Sequence, residues 1–294
     1  MLSITTDYAA DQGCPEPYLR QIAEAGFSHV HWCHQWNTDF MYSDWEILQI
    51  GQWLDEFGLA LLDLHASDGK EKRWASPREY ERLSGVDLVK NRIDFAGRLT
   101  KEAGAAAIVM HIPGPAERSQ DPLVWGQLRR SLDALQPYAQ ARGVRIAIEN
   151  GEDNFGLIRE LFAAYSADTL GLCYDCGHGN LPAGEARRAI GLDELETLKE
   201  RLAVVHLHDN DGARDMHWLP FTGTVDWDRL ARLMADSGYA KCVSMESNMH
   251  AHQDICDERT FLARAFEAGG RLSEMIGEAR RRSTRAGASC AEQP

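Results

Sequence analysis

The sequence has no long hydrophobic run and no secretion signal. Its apolar stretches all fall short of the roughly 18 residues that a membrane-spanning helix needs. The first residues, Met1 to Asp7, carry no basic stretch followed by an apolar core, so we expect no signal peptide. Cysteines are few, and the seven present are irregularly spaced, which is typical of a reducing compartment. These features predict a cytoplasmic protein without a membrane partner.

A second cysteine pair is also missing. Cys173 and Cys176 form one C-x-x-C, whereas a zinc knuckle of this type uses two such pairs. Because an apolar strand is predicted to run through Cys173, we expect a structural role for both cysteines.

Positive charge is scarce. Lys and Arg number 31 against 45 Asp and Glu, which gives a formal net charge of −14. Such a chain is not expected to present a broad surface to nucleic acid or to an anionic membrane. Its 44% hydrophobic and 26% charged residues match ordinary globular usage, which excludes collagen, a disulfide-stapled miniprotein and a mostly disordered chain.

The chain does contain a repeated alternation of short apolar runs and longer amphipathic segments. The runs are nearly continuous in apolar character, as in strands that are buried on both faces. Eight strands are predicted, at Leu2–Thr6, Phe27–Trp32, Leu59–Leu64, Ala106–His111, Val144–Ile148, Thr169–Tyr174, Leu202–Leu207 and Lys241–Met245. Helices are predicted at Glu16–Ala25, Ser43–Phe57, Pro77–Ala103, Pro122–Arg142, Phe155–Ala164, Glu185–Arg201, Trp227–Ser237 and His252–Ile276.

Glycine punctuates this alternation. Gly26, Gly58, Gly104, Gly143 and Gly238 each follow a predicted helix and precede a strand, where a left-handed residue is expected. Eight successive strand–helix units predict a single (β/α)8 TIM barrel. A doubly wound sheet would have fewer strands and a Gly-rich turn after the first strand, and Thr6-Asp7-Tyr8 is not such a turn. We expect one domain over residues 1–276 and a polar, mobile tail over 277–294.

Acidic and imidazole side chains stand at the carboxyl ends of six successive predicted strands, where barrels of this kind place their active sites. They are His65, His111, Glu149, Asp175, His206 and Glu246, and the loops add His178, Asp215 and His217. Converging carboxylates repel one another unless a cation balances them. Mixed oxygen and imidazole donors suit Mn²⁺, Co²⁺, Mg²⁺ or Zn²⁺, so the sequence predicts a divalent metal site. Other histidines are expected to be structural or solvated, namely His29, His31, His34, His250 and His252.

These residues lie in motifs that resemble a known family. The motifs are Ile-Glu-Asn at 148–150, Asp-Cys-Gly-His at 175–178, His-Leu-His-Asp-Asn at 206–210, Asp-Met-His at 215–217, Phe-Thr-Gly-Thr-Val-Asp-Trp at 221–227 and Met-Glu at 245–246. Up to about residue 270 the chain resembles the xylose isomerase-like TIM barrels. That superfamily groups sugar and sugar-phosphate isomerases and epimerases with abasic-site nucleases of the AP endonuclease family 2 (endonuclease IV) type.

The resemblance implies roles for these residues. Glu149, Asp175, His206 and Glu246 correspond to the shared metal ligands, and His178 to a contact with substrate or a further metal. Glu149 and Glu246 correspond to the proton-transfer pair, which works next to a carbonyl through an enediolate. The implied substrate is a small carbohydrate-like molecule, and a homo-oligomer is left open.

Other residues near the rim are candidates for substrate contacts. Trp32 and Trp36 are expected in or near rim loops, where they would shield a sugar from water, or else pack within the loops. Arg214 is a candidate contact for a carboxylate or phosphate. The chain departs from the ketose 3-epimerases of the family at Phe155, where they carry a second Glu, and at Gly212, where they carry an Arg.

Two alternative functions remain from the sequence. The nuclease branch binds up to three zinc ions. Its ligands for the first ion correspond here to His65, His111 and Glu149, and those for the second to Glu149, Asp175, His206 and Glu246. Those for the third correspond to His178, Asp215 and His217. Segments that flank these positions differ from the nucleases, and no basic, aromatic-rich loop for DNA is evident. The other alternative is a metal-dependent dehydratase of a polyol or keto acid, which begins with the same proton abstraction.

Overall fold

A computed structural model describes residues 1–10, 12–66, 68–102, 106–184, 187–252, 254–255 and 257–291 of the chain, with side chains as far as residue 284. Within these residues eight parallel strands form one sheet. They are β1 (Leu2–Thr5), β2 (His29–Trp32), β3 (Ala60–His65), β4 (Ala107–Met110), β5 (Arg145–Glu149), β6 (Leu170–Asp175), β7 (Leu202–His206) and β8 (Val243–Met245). All eight coincide with predicted strands.

The sheet closes into a barrel. Each strand pairs with the next along the chain, and β8 returns to pair with β1. Between β7 and β8 the Leu207 N–H donates to Ser244 O at 3.1 Å, and the Glu246 N–H donates to Leu207 O at 3.1 Å. These bonds place Leu207 opposite Met245 and complete the ring. The predicted TIM barrel is confirmed.

Helices cover the outside of the barrel. In the described part of the chain they are α1 (Glu16–Glu24), α2 (Asp44–Phe57), α3 (Glu79–Leu99), α4 (Pro115–Gln120), α5 (Pro122–Gln140), α6 (Phe155–Ala164), α7 (Cys176–Gly179), α8 (Gly191–Leu198), α9 (Trp227–Asp236) and α10 (Glu258–Ala291). Short 3-10 helices occupy Lys199–Arg201 and Met249–Ala251. None of these helices, over the residues described, is long and apolar enough to cross a membrane.

Local sequence sets the helix ends. Before α2, the Ser43 hydroxyl accepts from the Glu46 N–H, and the Glu46 carboxylate accepts from the Ser43 N–H, which together form a capping box. Gly58 ends the same helix in the left-handed conformation, with φ at 67°. Gly26 and Gly143 also have positive φ, as predicted, whereas Gly238 does not, and Gly104 lies outside the described residues.

Two predicted helices have the wrong bounds. The segment predicted as Glu185–Arg201 becomes helical only at Gly191, because Arg188–Ala189 pairs antiparallel with Pro182–Ala183 in a small ribbon; Glu185 itself lies outside the described residues. The last helix, predicted to end at Ile276, continues to Ala291. Its residues 277–284 are mostly exposed, so the apolar periodicity stops before the helix does.

Inside the barrel, a layer of small apolar side chains lies below the polar residues at the carboxyl ends of the strands. Small side chains form a buried cluster of their own, Ala107, Val109, Ala147, Cys173, Ala203 and Val204. Because side chains alternate along a strand, Ala147 and Cys173 point to the same side as Glu149 and Asp175 two residues later. The next layer up is therefore the layer that carries the candidate ligands.

Candidate active site

Four predicted metal ligands meet at the mouth of the barrel. Glu149, Asp175 and His206 are the last residues of β5, β6 and β7, and Glu246 directly follows β8. All four are buried, and each offers a ligand atom within 4.8 Å of the others. The parallel strands bring these residues together because they all end at the same edge of the barrel.

Both glutamates contact the same nitrogen of His206. Its Nδ1 is 3.2 Å from Glu149 Oε1 and 3.3 Å from Glu246 Oε2. Burial opposes ionisation of both carboxyls. His206, together with His111 at Glu149 and His65 at Glu246, more than offsets this effect, so the pKa values of both glutamates lie well below the usual range. Burial likewise opposes a charge on His206, yet the neighbouring Cys173, Glu246 and Glu149 raise its pKa well above the usual value. In the absence of a metal ion, the proton on the His206 imidazole therefore balances the negative charge of the two carboxylates.

The other oxygen of each glutamate faces a further histidine. His111 Nε2 lies 2.9 Å from Glu149 Oε2, and His65 Nε2 lies 3.0 Å from Glu246 Oε1. Burial lowers the pKa of His65 to about 4, so this imidazole is neutral near pH 7 and donates to Glu246 through Nε2–H. Both histidines were predicted to stand at this rim.

A second group of side chains lies beside the first. His178 Nε2 is 3.4 Å from Asp215 Oδ2, and His217 Nε2 is 3.1 Å from the same oxygen. Burial opposes a charge on His217, but the bond to Asp215 raises its pKa to about 10. Its ring also stacks on His208, with centroids 4.1 Å apart. The predicted trio of His178, Asp215 and His217 is thus brought together, with His208 as an added member.

His31 and Asp63 belong to the site although neither was predicted there. His31 Nδ1 contacts Asp63 Oδ1, both side chains are fully buried, and His31 Nε2 lies 3.8 Å from Glu246 Oε1. The His31 ring packs 4.3 Å from that of His206. The sequence could have indicated Asp63, because it precedes His65 by two residues in the same strand and its side chain therefore points to the same side.

A cavity of about 390 Å³ opens above these residues. It is lined by Thr5, Asp7, Trp36, His65, His111, Glu149, His178, Asp215, Met216, His217, Glu246, Asn248 and Ala251. Trp36 stacks on His65 with ring centroids 4.9 Å apart, so its predicted place at the rim is consistent with the structure. Asp7 was not predicted to line the site, since it lies in an irregular loop after β1.

Two predicted substrate contacts lie elsewhere. Trp32 is the last residue of β2, not a loop residue, and its ring is buried 5.2 Å from Phe95 while its Nε1–H donates to Tyr42. Arg214 is exposed, and its N–H donates to Asp211 at 3.1 Å. Neither residue lines the cavity.

The donor set fits a divalent cation. Three buried carboxylates and one imidazole converge within a few ångströms, a mixture that Mn²⁺, Mg²⁺, Co²⁺ and Zn²⁺ accept. The buried ring nitrogens His65 Nδ1, His206 Nε2 and His208 Nδ1 have no hydrogen-bond partner within the described residues, which is unusual for buried polar atoms.

Comparisons with known proteins agree with this fold. Residues 19–265 match the family model of the xylose isomerase-like TIM barrel, and the chain belongs to that family. The uncharacterized protein y4fM of Sinorhizobium fredii (strain NGR234) is 34% identical over 293 residues, which cover 90% of each chain.

Two further likenesses are more distant. Fructoselysine 3-epimerase of Shigella flexneri is 24% identical over 168 residues, which span 55% of this chain and 58% of that one. A crystal structure of D-psicose 3-epimerase with D-fructose superposes with a TM-score of 0.73 at 16% identity, over 94% of this chain and 99% of the other. The structural likeness shows a shared fold.

Proposed function

We propose that the protein is a divalent-metal-dependent isomerase or epimerase that moves a proton next to the carbonyl of a sugar or sugar phosphate. One observation carries the proposal: Glu149 Oε1 and Glu246 Oε2 both contact His206 Nδ1, at 3.2 Å and 3.3 Å. They come from β5 and β8, which are separated by at least two intervening strands on either path around the barrel. A substrate above His206 would therefore meet a carboxylate on each of two sides.

Four residues would hold the metal, namely Glu149, Asp175, His206 and Glu246. Asp175 is held firmly, because its backbone N–H donates to Asn150 Oδ1 at 2.9 Å and its Oδ1 accepts from the His178 N–H at 2.7 Å. A divalent cation bound here would polarise the substrate carbonyl and stabilise the negative charge that follows proton removal.

The two glutamates are suited to proton transfer. Each has one oxygen toward His206 and the other toward a cavity-lining imidazole, His111 or His65. As carboxylates, either can take a proton from the substrate carbon. If one removes the proton and the other returns it on the opposite face, the carbon is epimerised.

The rest of the cavity would bind the substrate. His178 and His217 line it, and Asp215 contacts the Nε2 of both rings. Trp36 adds an aromatic face beside His65, which suits the C–H face of a sugar. The names of the relatives, fructoselysine 3-epimerase and D-psicose 3-epimerase, support a sugar as the substrate and epimerisation as the reaction.

Deuterium exchange tests this function directly. The full-length protein is loaded with Mn²⁺ and incubated in D₂O with free and phosphorylated ketoses, and products are followed by NMR. We expect deuterium at the carbon next to the carbonyl and formation of an isomer or epimer. A product lighter by one water would instead indicate the dehydratase.

A second candidate is a zinc phosphodiesterase. It is favoured by the additional cluster of His65, His111 and Glu149, whose ligand atoms lie within 4.8 Å of one another. Three zinc ions per chain and cleavage of abasic-site DNA would support it, and inactivity on such DNA with the zinc-loaded protein would dismiss it.

A further inference from the structure

Two histidines face the Oε1 atom of Glu246. His65 Nε2 lies 3.0 Å from this oxygen, within hydrogen-bond distance, whereas His31 Nε2 lies 3.8 Å from it, too far for a hydrogen bond. The two imidazole rings pack edge to face, with centroids 4.8 Å apart. The other oxygen of the carboxylate, Oε2, lies near His206 instead. Glu246 Oε1 and the two Nε2 atoms therefore form a separate group of possible ligand atoms.

His31 is held in the way that metal-binding histidines are held. Its Nδ1 contacts the carboxylate of Asp63, and both side chains are fully buried. A histidine that binds a metal usually donates its other ring N–H to a carboxylate or carbonyl, which fixes the tautomer and the orientation of the ring. With the proton on Nδ1, the Nε2 atom of His31 has a free lone pair, and no described residue forms a hydrogen bond with it. A buried ring nitrogen without a partner is rare, and a bound cation would be that partner.

The distances fit one cation between these residues. Two ligand atoms that each lie about 2.1 Å from a zinc ion are about 3–4 Å from one another. The separations from Glu246 Oε1, 3.0 Å and 3.8 Å, lie in this range. His65 would bind through Nε2 with its proton on Nδ1, which lies 4.0 Å from Glu149 Oε2. Two histidines and one glutamate are a ligand set that holds zinc and leaves a fourth position open.

We propose that His31, His65 and Glu246 form a second metal site, which binds Zn²⁺ through the two Nε2 atoms and Glu246 Oε1. Imidazole donors favour Zn²⁺ over Mg²⁺ and Mn²⁺. Glu246 would bridge this ion to the first site, because its Oε2 lies near His206. Two neighbouring cations repel each other, and this one has three protein ligands instead of four, so it binds more weakly than the first. The protein as purified is therefore expected to hold the first ion alone.

The second site differs from the ligand sets that the nuclease resemblance implies. His31 belongs to none of those sets. His65 is grouped there with His111 and Glu149, whereas its Nε2 faces Glu246 in this structure. His111 Nε2 contacts Glu149 at 2.9 Å instead. Loss of the second ion on replacing His31 therefore indicates the proposed site, and loss on replacing His111 indicates the nuclease-like one.

Counting bound zinc tests the site. The full-length protein is freed of metal with a chelator and dialysed against increasing Zn²⁺, and bound zinc is measured by elemental analysis. We expect the wild type to bind a second ion at higher concentration, and His31→Gln to keep the first ion but to bind the second at least about tenfold more weakly. His29→Gln is the matched control and should bind both ions. His29 lies two residues earlier in β2, contacts Ser28, and belongs to no cluster of possible metal ligands in the described part of the chain.

Two results would overturn the site. One is a wild type that binds a single ion at all zinc concentrations. The other is a His31→Gln protein that binds the second ion as tightly as the wild type does, with the loss occurring in His111→Gln instead. If His31→Gln does not fold, Co²⁺ titration of the unaltered protein decides. Visible absorption should continue to grow, and more steeply, after the first equivalent, because four-coordinate Co²⁺ absorbs more strongly than six-coordinate Co²⁺. Absorption that stops growing at one equivalent would contradict the proposal.

An ion at this site should slow the proposed reaction, a consequence that rests on the proposed function. The ion would bind Glu246 Oε1, the oxygen that the first site leaves available for a proton. Deuterium exchange into a ketose should therefore rise with the first zinc ion and fall at least about threefold with the second, whereas excess zinc should not slow His31→Gln relative to its own rate. Equal slowing of both proteins would contradict this consequence. If the second ion binds but no ketose exchanges at any metal content, the proposed function fails and the metal site stands.

Discussion

His206 Nδ1 lies 3.2 Å from Glu149 Oε1 although both side chains are buried at the mouth of a barrel. A buried carboxylate beside a buried imidazole is stable only if a proton or a metal ion balances the charge. Glu246 Oε2 also lies 3.3 Å from the same Nδ1. The proposed metal site and the proposed proton-transfer pair both rest on this arrangement.

The two glutamates should be essential for turnover. Glu149→Gln and Glu246→Gln each remove a carboxylate without changing its shape, and we expect kcat to fall at least about 10²-fold. Circular dichroism should show a folded protein. Glu200→Gln, at an exposed position, is the control and should keep full activity. Near-normal turnover in either site variant would contradict the assignment.

The two rim tryptophans of the sequence hypothesis should behave differently. Trp32 is buried against Phe95, so Trp32→Ala should lower the free energy of unfolding by about 3–5 kcal/mol. Trp36 lines the cavity, so Trp36→Ala should raise KM with a smaller loss of stability. Denaturant unfolding and steady-state kinetics measure both, and the reverse pattern would show that Trp32 is the substrate contact.

The buried contact between His31 and Asp63 should contribute to stability. Asp63→Ala leaves the His31 Nδ1–H without an acceptor, which costs about 1–3 kcal/mol of unfolding free energy. Asp55 pairs with Lys101 on the surface, so Asp55→Ala should cost about 0–1 kcal/mol. Equal effects on the urea midpoint would mean that the buried pair has no special role.

Metal binding should release protons. Although burial opposes it, Cys173, Glu246 and Glu149 raise the pKa of His206, so this imidazole carries a proton near pH 7 when no cation is bound. A metal ligand must be deprotonated, so affinity should fall as the pH is lowered. Calorimetry of Mn²⁺ binding in two buffers of different ionisation enthalpy measures the proton release. Affinity that does not change with pH across the neutral range would show that His206 is not a ligand.

The sequence predicted the barrel and most of its site because both follow from strand positions. Glu149 and Asp175 stand directly after apolar runs, and parallel strands bring such ends together. His31 and Asp63 were missed because the prediction considered the residues at which apolar runs end, and these two residues lie within strands. Asp7 was missed because its place on the wall depends on how the loop after β1 folds back. The ribbon at 182–189 has strands of two residues, too short for a periodic pattern.

Arg214 shows a different limit of sequence reasoning. It was a candidate because it lies two residues after Gly212, the position where ketose 3-epimerases of the family carry an Arg. The loop that carries it turns the backbone toward Asp211 and leaves the guanidinium in solvent. Distance along the chain therefore did not predict distance from the cavity.

We propose that Glu149, Asp175, His206 and Glu246 bind a divalent cation on which proton transfer depends. Metal analysis of the purified protein and of His206→Ala, together with deuterium exchange before and after chelation, tests it most directly. We predict one divalent ion per chain in the wild type, loss of that ion in the variant, and exchange that stops with chelator and returns with Mn²⁺. A wild-type protein that binds no divalent ion, or that exchanges deuterium equally well without one, would contradict the account.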